Sequence, residues 1–144
     1  MDKNKKIKYL ALMSWTPVLL WAALIWILSS IPGDEFPEIG WDSGILSMLA
    51  HFILYFILAG LCFRAIKRTY RQISFCLTAF VVLFAAAGYG ILNEWHQAFV
   101  PGRHPSVNDA LINTAGILCF LGMAGISGRC RTGQVPKKAM KETK

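Results

Sequence analysis

The chain has 144 residues, of which 55% are apolar and 16% charged, and its mean hydropathy is positive. An ordinary soluble domain is about 25% charged, so the composition excludes a disordered chain and argues against a soluble single-domain enzyme. The formal net charge of +7 has a topological explanation and requires no nucleic-acid partner.

The apolar residues fall in four blocks: Tyr9–Leu28, Ile45–Phe63, Ile73–Leu92 and Asp109–Ile126. A spanning helix takes roughly 20 such residues, and at 1.5 Å per residue each block rises about 27–30 Å. Lys3, Lys5, Lys6 and Lys8 precede the first block, as basic residues precede a signal peptide. Its length, Pro17 and its tryptophans (Trp15, Trp21, Trp26), with no small-residue cleavage site after it, make it a retained helix.

The charges give an orientation. Every Lys and Arg except Arg103 lies before the first block, between the second and third, or after the fourth. Asp34, Glu35, Glu38, Asp42, Glu94 and Asp109 lie in or beside the other two connections. Positive residues stay inside. The expected fold is therefore all-α, a four-helix transmembrane bundle with both termini cytoplasmic, in the cell membrane. Residues 1–8 form a basic cytoplasmic N-terminus, 9–126 the membrane domain, and 127–144 a basic cytoplasmic tail, expected to be mobile. Cys62, Cys76, Cys119 and Cys130 form no CxxC pair, so no disulfide framework or thiolate metal site is indicated.

Ionisable residues are expensive inside a membrane, and here they gather at the outer end of the bundle. The densest run is 93–109. If the third helix continues through Gln97, then Tyr89, Asn93 and His96 share one face, and Glu94 and Gln97 share another strip. Pro101-Gly102 turns the chain. Ser106 stands three residues before Asp109, a capping-box spacing with Asp in place of Glu or Gln. Asp109, Asn113 and Gly116 line one face of the fourth helix, and His51 and Tyr55 one face of the second. Gly88 and Gly90 are expected to let helices approach closely.

These residues suit two classes of function. In a membrane-embedded enzyme, Glu94, His96 and Asp109 are the catalytic candidates: Glu94 or His96 moves a proton and Asp109 orients the histidine or Arg103. Arg103 holds an anionic group through its planar fork. Gln97, Ser106, Asn113, His51 and Tyr55 complete the substrate-binding set. The substrate class is a membrane lipid phosphate or a lipid-linked envelope molecule. A metal-assisted version would use the carboxylates with His96 or His51, but the spacing matches no standard zinc signature and no G-x-S-x-G elbow occurs, so no metal or cofactor is assigned. In the second class, the same residues bind a lipid headgroup, a lipophilic antibiotic or an envelope partner without chemistry. Plain structural roles stand beside both. Ser106 and Asp109 can simply cap a helix, and His51 and Tyr55 can bond across helices. The tryptophans suit interface anchoring.

The run E-x-H-Q-x-F-x-P-G-R-x-x-S-x-x-D is met by Glu94, His96, Gln97, Phe99, Pro101, Gly102, Arg103, Ser106 and Asp109. Ser29-Ser30 with Pro32-Gly33, His51 with Tyr55, and Asn113-Thr114-Ala115-Gly116 support it. Through these motifs the chain, over about residues 9–126, resembles the VanZ-like family, named for a membrane protein of teicoplanin resistance. Members often carry Asp-Lys ahead of the second-helix histidine, where this chain has Ser47 and Met48, and an Asp-Glu pair where it has Asn93-Glu94. The resemblance implies a small multi-pass bacterial membrane protein, linked in some members to lower susceptibility to teicoplanin-type lipoglycopeptides.

Overall fold

The structure, a computed structural model, describes residues 3–33 and 43–132. It contains four helices: α1 (Lys3–Ser29), α2 (Ser43–Thr69), α3 (Phe75–Gln97) and α4 (Val107–Thr132). All four are long and apolar enough to cross a membrane, and no strand occurs among the described residues. The helices outrun the apolar blocks. An apolar block marks only the part suited to hydrocarbon, whereas a helix continues for as long as its backbone hydrogen bonds are made. Thus α3 does reach Gln97, and α4 continues past Ile126 to Thr132. The acidic stretch 34–42 and the tail 133–144 lie outside the described residues.

Contacts at the two ends set the direction of each helix. At one end Trp15 Nε1 donates to Thr69 Oγ1 at 3.2 Å, Lys67 Nζ donates to the Ile73 carbonyl at 2.7 Å, and Gly125 approaches the Phe75 ring. At the other end the backbone after α1 meets the α3–α4 loop through Gly33 N–H to Pro101 O at 3.0 Å. The bundle therefore runs up-down-up-down. Ser74 caps the start of α3, its hydroxyl accepting from Leu77 N–H at 3.2 Å.

The core centres on α2. Tyr55, Leu58, Ala59, Cys62, Ala65 and Ile66 recur at three- and four-residue spacing and are all buried. Val18 and Ile25 from α1, Val82 and Ala86 from α3, and Ile117 and Leu121 from α4 close on that stripe. Large apolar side chains such as Leu20, Phe84, Leu111 and Ile126 point outward, as lipid-facing residues do. Two tryptophans fasten α1 to α2, with Trp21 Nε1 donating to Leu54 O at 3.0 Å beside the Trp15 bond.

Helices in lipid associate through close packing of small residues. That contact is made at Gly116, where an added Cβ would strike the Phe52 carbonyl of α2. Gly90 lies 3.3 Å, measured from such a Cβ, from the Tyr55 ring. Gly88 differs from expectation, because a Cβ there would meet nothing within 4 Å. Gly116→Ala should therefore destabilise by about 1–3 kcal/mol, the usual range for overpacking, and lower the thermal unfolding midpoint in detergent. Gly88→Ala should leave the midpoint unchanged or raise it. Equal midpoints for the two variants would show that the α2–α4 contact tolerates a methyl group.

Candidate functional site

The site is built where α3 ends, the 98–106 loop turns, and α4 begins. Ala98 caps α3, and Val100-Pro101-Gly102-Arg103 forms a tight turn closed by Arg103 N–H to Val100 O at 3.2 Å. Pro101 supplies the fixed φ of the second turn position, and Gly102 takes the left-handed φ of 69° that the third demands. The turn presses on the end of α1, where a Cβ on Gly33 would collide with the Gly102 carbonyl. Arg103 reaches the same segment, its Nε donating to Ile31 O at 3.2 Å. Pro-Gly-Arg thus ties the loop to α1 and holds the guanidinium at the rim of the site.

Glu94 performs a structural task that linear spacing does not show. Ser106 is the N-cap of α4, and its hydroxyl accepts from Asp109 N–H at 3.4 Å, as the capping spacing predicts. In a capping box the residue at Asp109's position would also bond the cap's own N–H. Here Glu94 Oε2, from α3, takes the Ser106 N–H at 3.1 Å. One carboxylate therefore joins the end of α3 to the start of α4.

The same carboxylate is part of a cluster from three helices. One donor atom each from His51, Glu94 and Asp109 lies within 4.8 Å of the others. His51 Nδ1 is 3.1 Å from Asn113 Oδ1. An amide oxygen only accepts, so Nδ1 donates to it. Glu94 is 6% exposed, and its Oε1 has no hydrogen-bond partner among the described residues. Asn113 Nδ2 is likewise buried without one.

Beside this cluster, between α1, α2 and α3, lies a cavity of about 650 Å³. His51, Tyr55, Asn93, Gln97 and Arg103 supply its polar wall. Ile25, Leu28, Leu46 and Leu54 supply an apolar one. Both polar atoms of Asn93, 1% exposed, and the Tyr55 hydroxyl have no hydrogen-bond partner among the described residues. Buried polar groups normally do, and both residues are among those lining the cavity.

The expected site residues thus divide. His51, Glu94, Ser106, Asp109 and Asn113 come together at the α2–α3–α4 junction. Tyr55, Gln97 and Arg103 line the cavity, which His51 shares. His96 turns to α1 instead, stacking on Trp26 at 4.1 Å between ring centroids and lying 2.9 Å from Ser30 Oγ. A two-residue step along a helix rotates the side chain by about 200°, which separates His96 from Glu94. Sequence reasoning passed over Asn93 as a site residue, although its place one turn from Tyr89 on a polar face was the available signal. The Ile31 carbonyl that meets Arg103 carries no side-chain signal at all.

The cap makes a stability series. Ser106→Ala should cost about 0.5–2 kcal/mol. Glu94→Ala removes a part-buried hydrogen bond to a charged group and should cost about 1–3 kcal/mol. Glu94→Gln keeps an acceptor for Ser106 and should lie closest to wild type. Thermal unfolding in one detergent checks the order, and a Glu94→Ala protein as stable as wild type would remove the inter-helix cap from the account.

The chain matches no curated protein and no solved structure. Residues 11–127 match the VanZ/LLP1 family. That match runs from within α1 to within α4 and takes in the whole of the site, so the chain belongs to the VanZ/LLP1 family, as a member with four helices of membrane-spanning length.

Proposed function

We propose that the protein takes the polar head of a lipid, or of a lipid-linked envelope molecule, into the cavity between α1, α2 and α3, and acts on it there. One observation carries the reading: a single cavity is lined by polar residues, among them His51, Gln97 and Arg103, and by the apolar Ile25, Leu28, Leu46 and Leu54. A ligand with a hydrogen-bonding head and a hydrocarbon body matches both walls. The volume lies in the range of about 300–1,000 Å³ typical of ligand sites. Arg103 at the rim supports an anionic head, since a guanidinium pairs with phosphate through two parallel hydrogen bonds. Glu94 serves as the base of this scheme through His51, which belongs to both the cluster and the cavity wall, with Gln97 positioning the head and Asn113 holding the His51 ring.

In this scheme the site end of the bundle faces outward, because the basic residues gather at the other end. Both termini are then cytoplasmic, and the site works on the outer leaflet. A lipid-anchored antibiotic of the teicoplanin type acts at that surface, and lowered susceptibility to it is the phenotype proposed for this chain. A non-enzymatic binder is the second reading. It is favoured by the fact that Glu94 Oε2 and Arg103 Nε are already committed to backbone groups.

Two experiments test these statements. In protein purified into nanodiscs, Arg103→Ala should weaken binding of an anionic lipid headgroup by about tenfold or more, read by competition with a fluorescent lipid phosphate. Glu94→Gln separates the two readings in a bacterium sensitive to teicoplanin, with membrane levels matched by immunoblot. A general base is worth about 10²–10⁴-fold, so an enzyme loses protection with this variant while a binder keeps it. Wild type that neither binds lipid phosphates nor protects would overturn the proposal. For topology, Glu38→Cys should be labelled by an impermeant maleimide in intact cells and Lys138→Cys should not, each in a chain lacking its natural cysteines. The reverse pattern would place the site on the inner leaflet.

A further inference from the structure

We infer that His51, Glu94 and Asp109 form a binding site for one divalent metal ion of the Zn²⁺ or Mn²⁺ class. Their donor atoms, from α2, α3 and α4, lie within 4.8 Å of one another. Side-chain adjustments of about an ångström bring such donors to the 2.0–2.2 Å at which nitrogen and carboxylate oxygen bind zinc.

Three further observations point to a cation. First, Glu94 is 94% buried by its 6% exposure, and its Oε1 has no partner among the described residues, while Oε2 is held by Ser106 N–H. The carboxylate is thus fixed by one oxygen and presents the other. Second, His51 Nδ1 is occupied by Asn113 Oδ1 at 3.1 Å. A metal-binding histidine characteristically donates its second ring N–H to such an acceptor, which sets the tautomer and aims the other nitrogen. Third, two carboxylates in this low-dielectric setting repel each other. A divalent cation with a neutral imidazole and two carboxylates makes a neutral unit.

The donor set selects the ion. One imidazole nitrogen with two carboxylate oxygens is too nitrogen-rich for a typical Ca²⁺ or Mg²⁺ cage and lacks the thiolates that favour soft ions. Three protein ligands leave at least one coordination position for water or for an anionic oxygen of a ligand. His51 belongs to both the cluster and the cavity wall, so the ion lies beside the proposed headgroup pocket. Metal binding itself needs nothing from headgroup binding.

The test uses the full chain, purified in detergent and stripped with chelator. Zn²⁺ is followed by calorimetric titration and Mn²⁺ by the loss of its free-ion paramagnetic resonance signal. Wild type is expected to bind one ion per chain. Glu94→Gln and Asp109→Asn, which keep the size of the side chain, should each weaken binding by about 100-fold or more. Asn113→Ala should weaken it by about 10–100-fold, the range for a residue that orients a ligand. His104→Gln changes an exposed histidine outside the cluster and should bind as wild type does. Circular dichroism and gel filtration establish that each variant is folded. If one variant is not, the other carboxylate variant decides. Wild type that takes up neither ion, or folded carboxylate variants that match its affinity, would overturn the inference. No lipid is present in the titration, so this failure and a failure of headgroup binding are separate results.

Discussion

The bond from Ser106 N–H to Glu94 joins the fold to the site. A helix that begins inside a membrane protein has backbone N–H groups that water does not satisfy, and lipid offers none of the acceptors they need. Ser106 serves the Asp109 N–H, but its own N–H needs a further acceptor. The chain supplies one from the preceding helix. Glu94 is thereby fixed in place with one oxygen spoken for, in a bundle where an ionised group is costly. That link fixes where α4 starts beside α3, and with it the first turn that carries Asp109.

Around this link the end of the bundle is assembled from short-range ties rather than from hydrophobic mass. Arg103 holds the carbonyl of Ile31, Gly33 N–H holds that of Pro101, and His96 lies against Trp26 and Ser30. The middle of the bundle is a plain apolar core on α2. Polarity is thus concentrated at one end, and there it divides into a side-chain cluster between α2, α3 and α4 and a cavity shared by α1, α2 and α3. His51 stands at the boundary of the two.

Most of the fold was legible in the sequence because a bilayer imposes a simple length and polarity rule on a helix. The four helices, the turn at Pro101-Gly102 and the cap at Ser106 follow from local chemistry and appear as expected. Helix ends were less legible, since α3 and α4 run on beyond their apolar blocks. The site was legible as a list of residues and illegible as a grouping. Glu94 and His96 are near neighbours in sequence yet turn to different helices. His51, Glu94 and Asp109 are distant in sequence and meet. A spacing rule of the metal-signature kind searches within one segment and cannot register three donors on three helices. Gly88 and Gly116 make the same point for packing, because only the partner helix decides which glycine is needed.

The contact of Gly33 with Gly102 bears on how this chain can vary. The two backbones touch with no room for a Cβ at residue 33, and Gly102 sits at a φ of 69° that other residues enter only with strain. A side chain at position 33 can be accommodated only if the turn at 102 moves away, and moving that turn displaces Arg103. Change at one position must therefore be matched at the other and in the loop between α3 and α4. In related sequences, residues 33, 102 and 103 should drift as a unit, and a chain that lost either glycine would have had to rebuild the rim of its cavity.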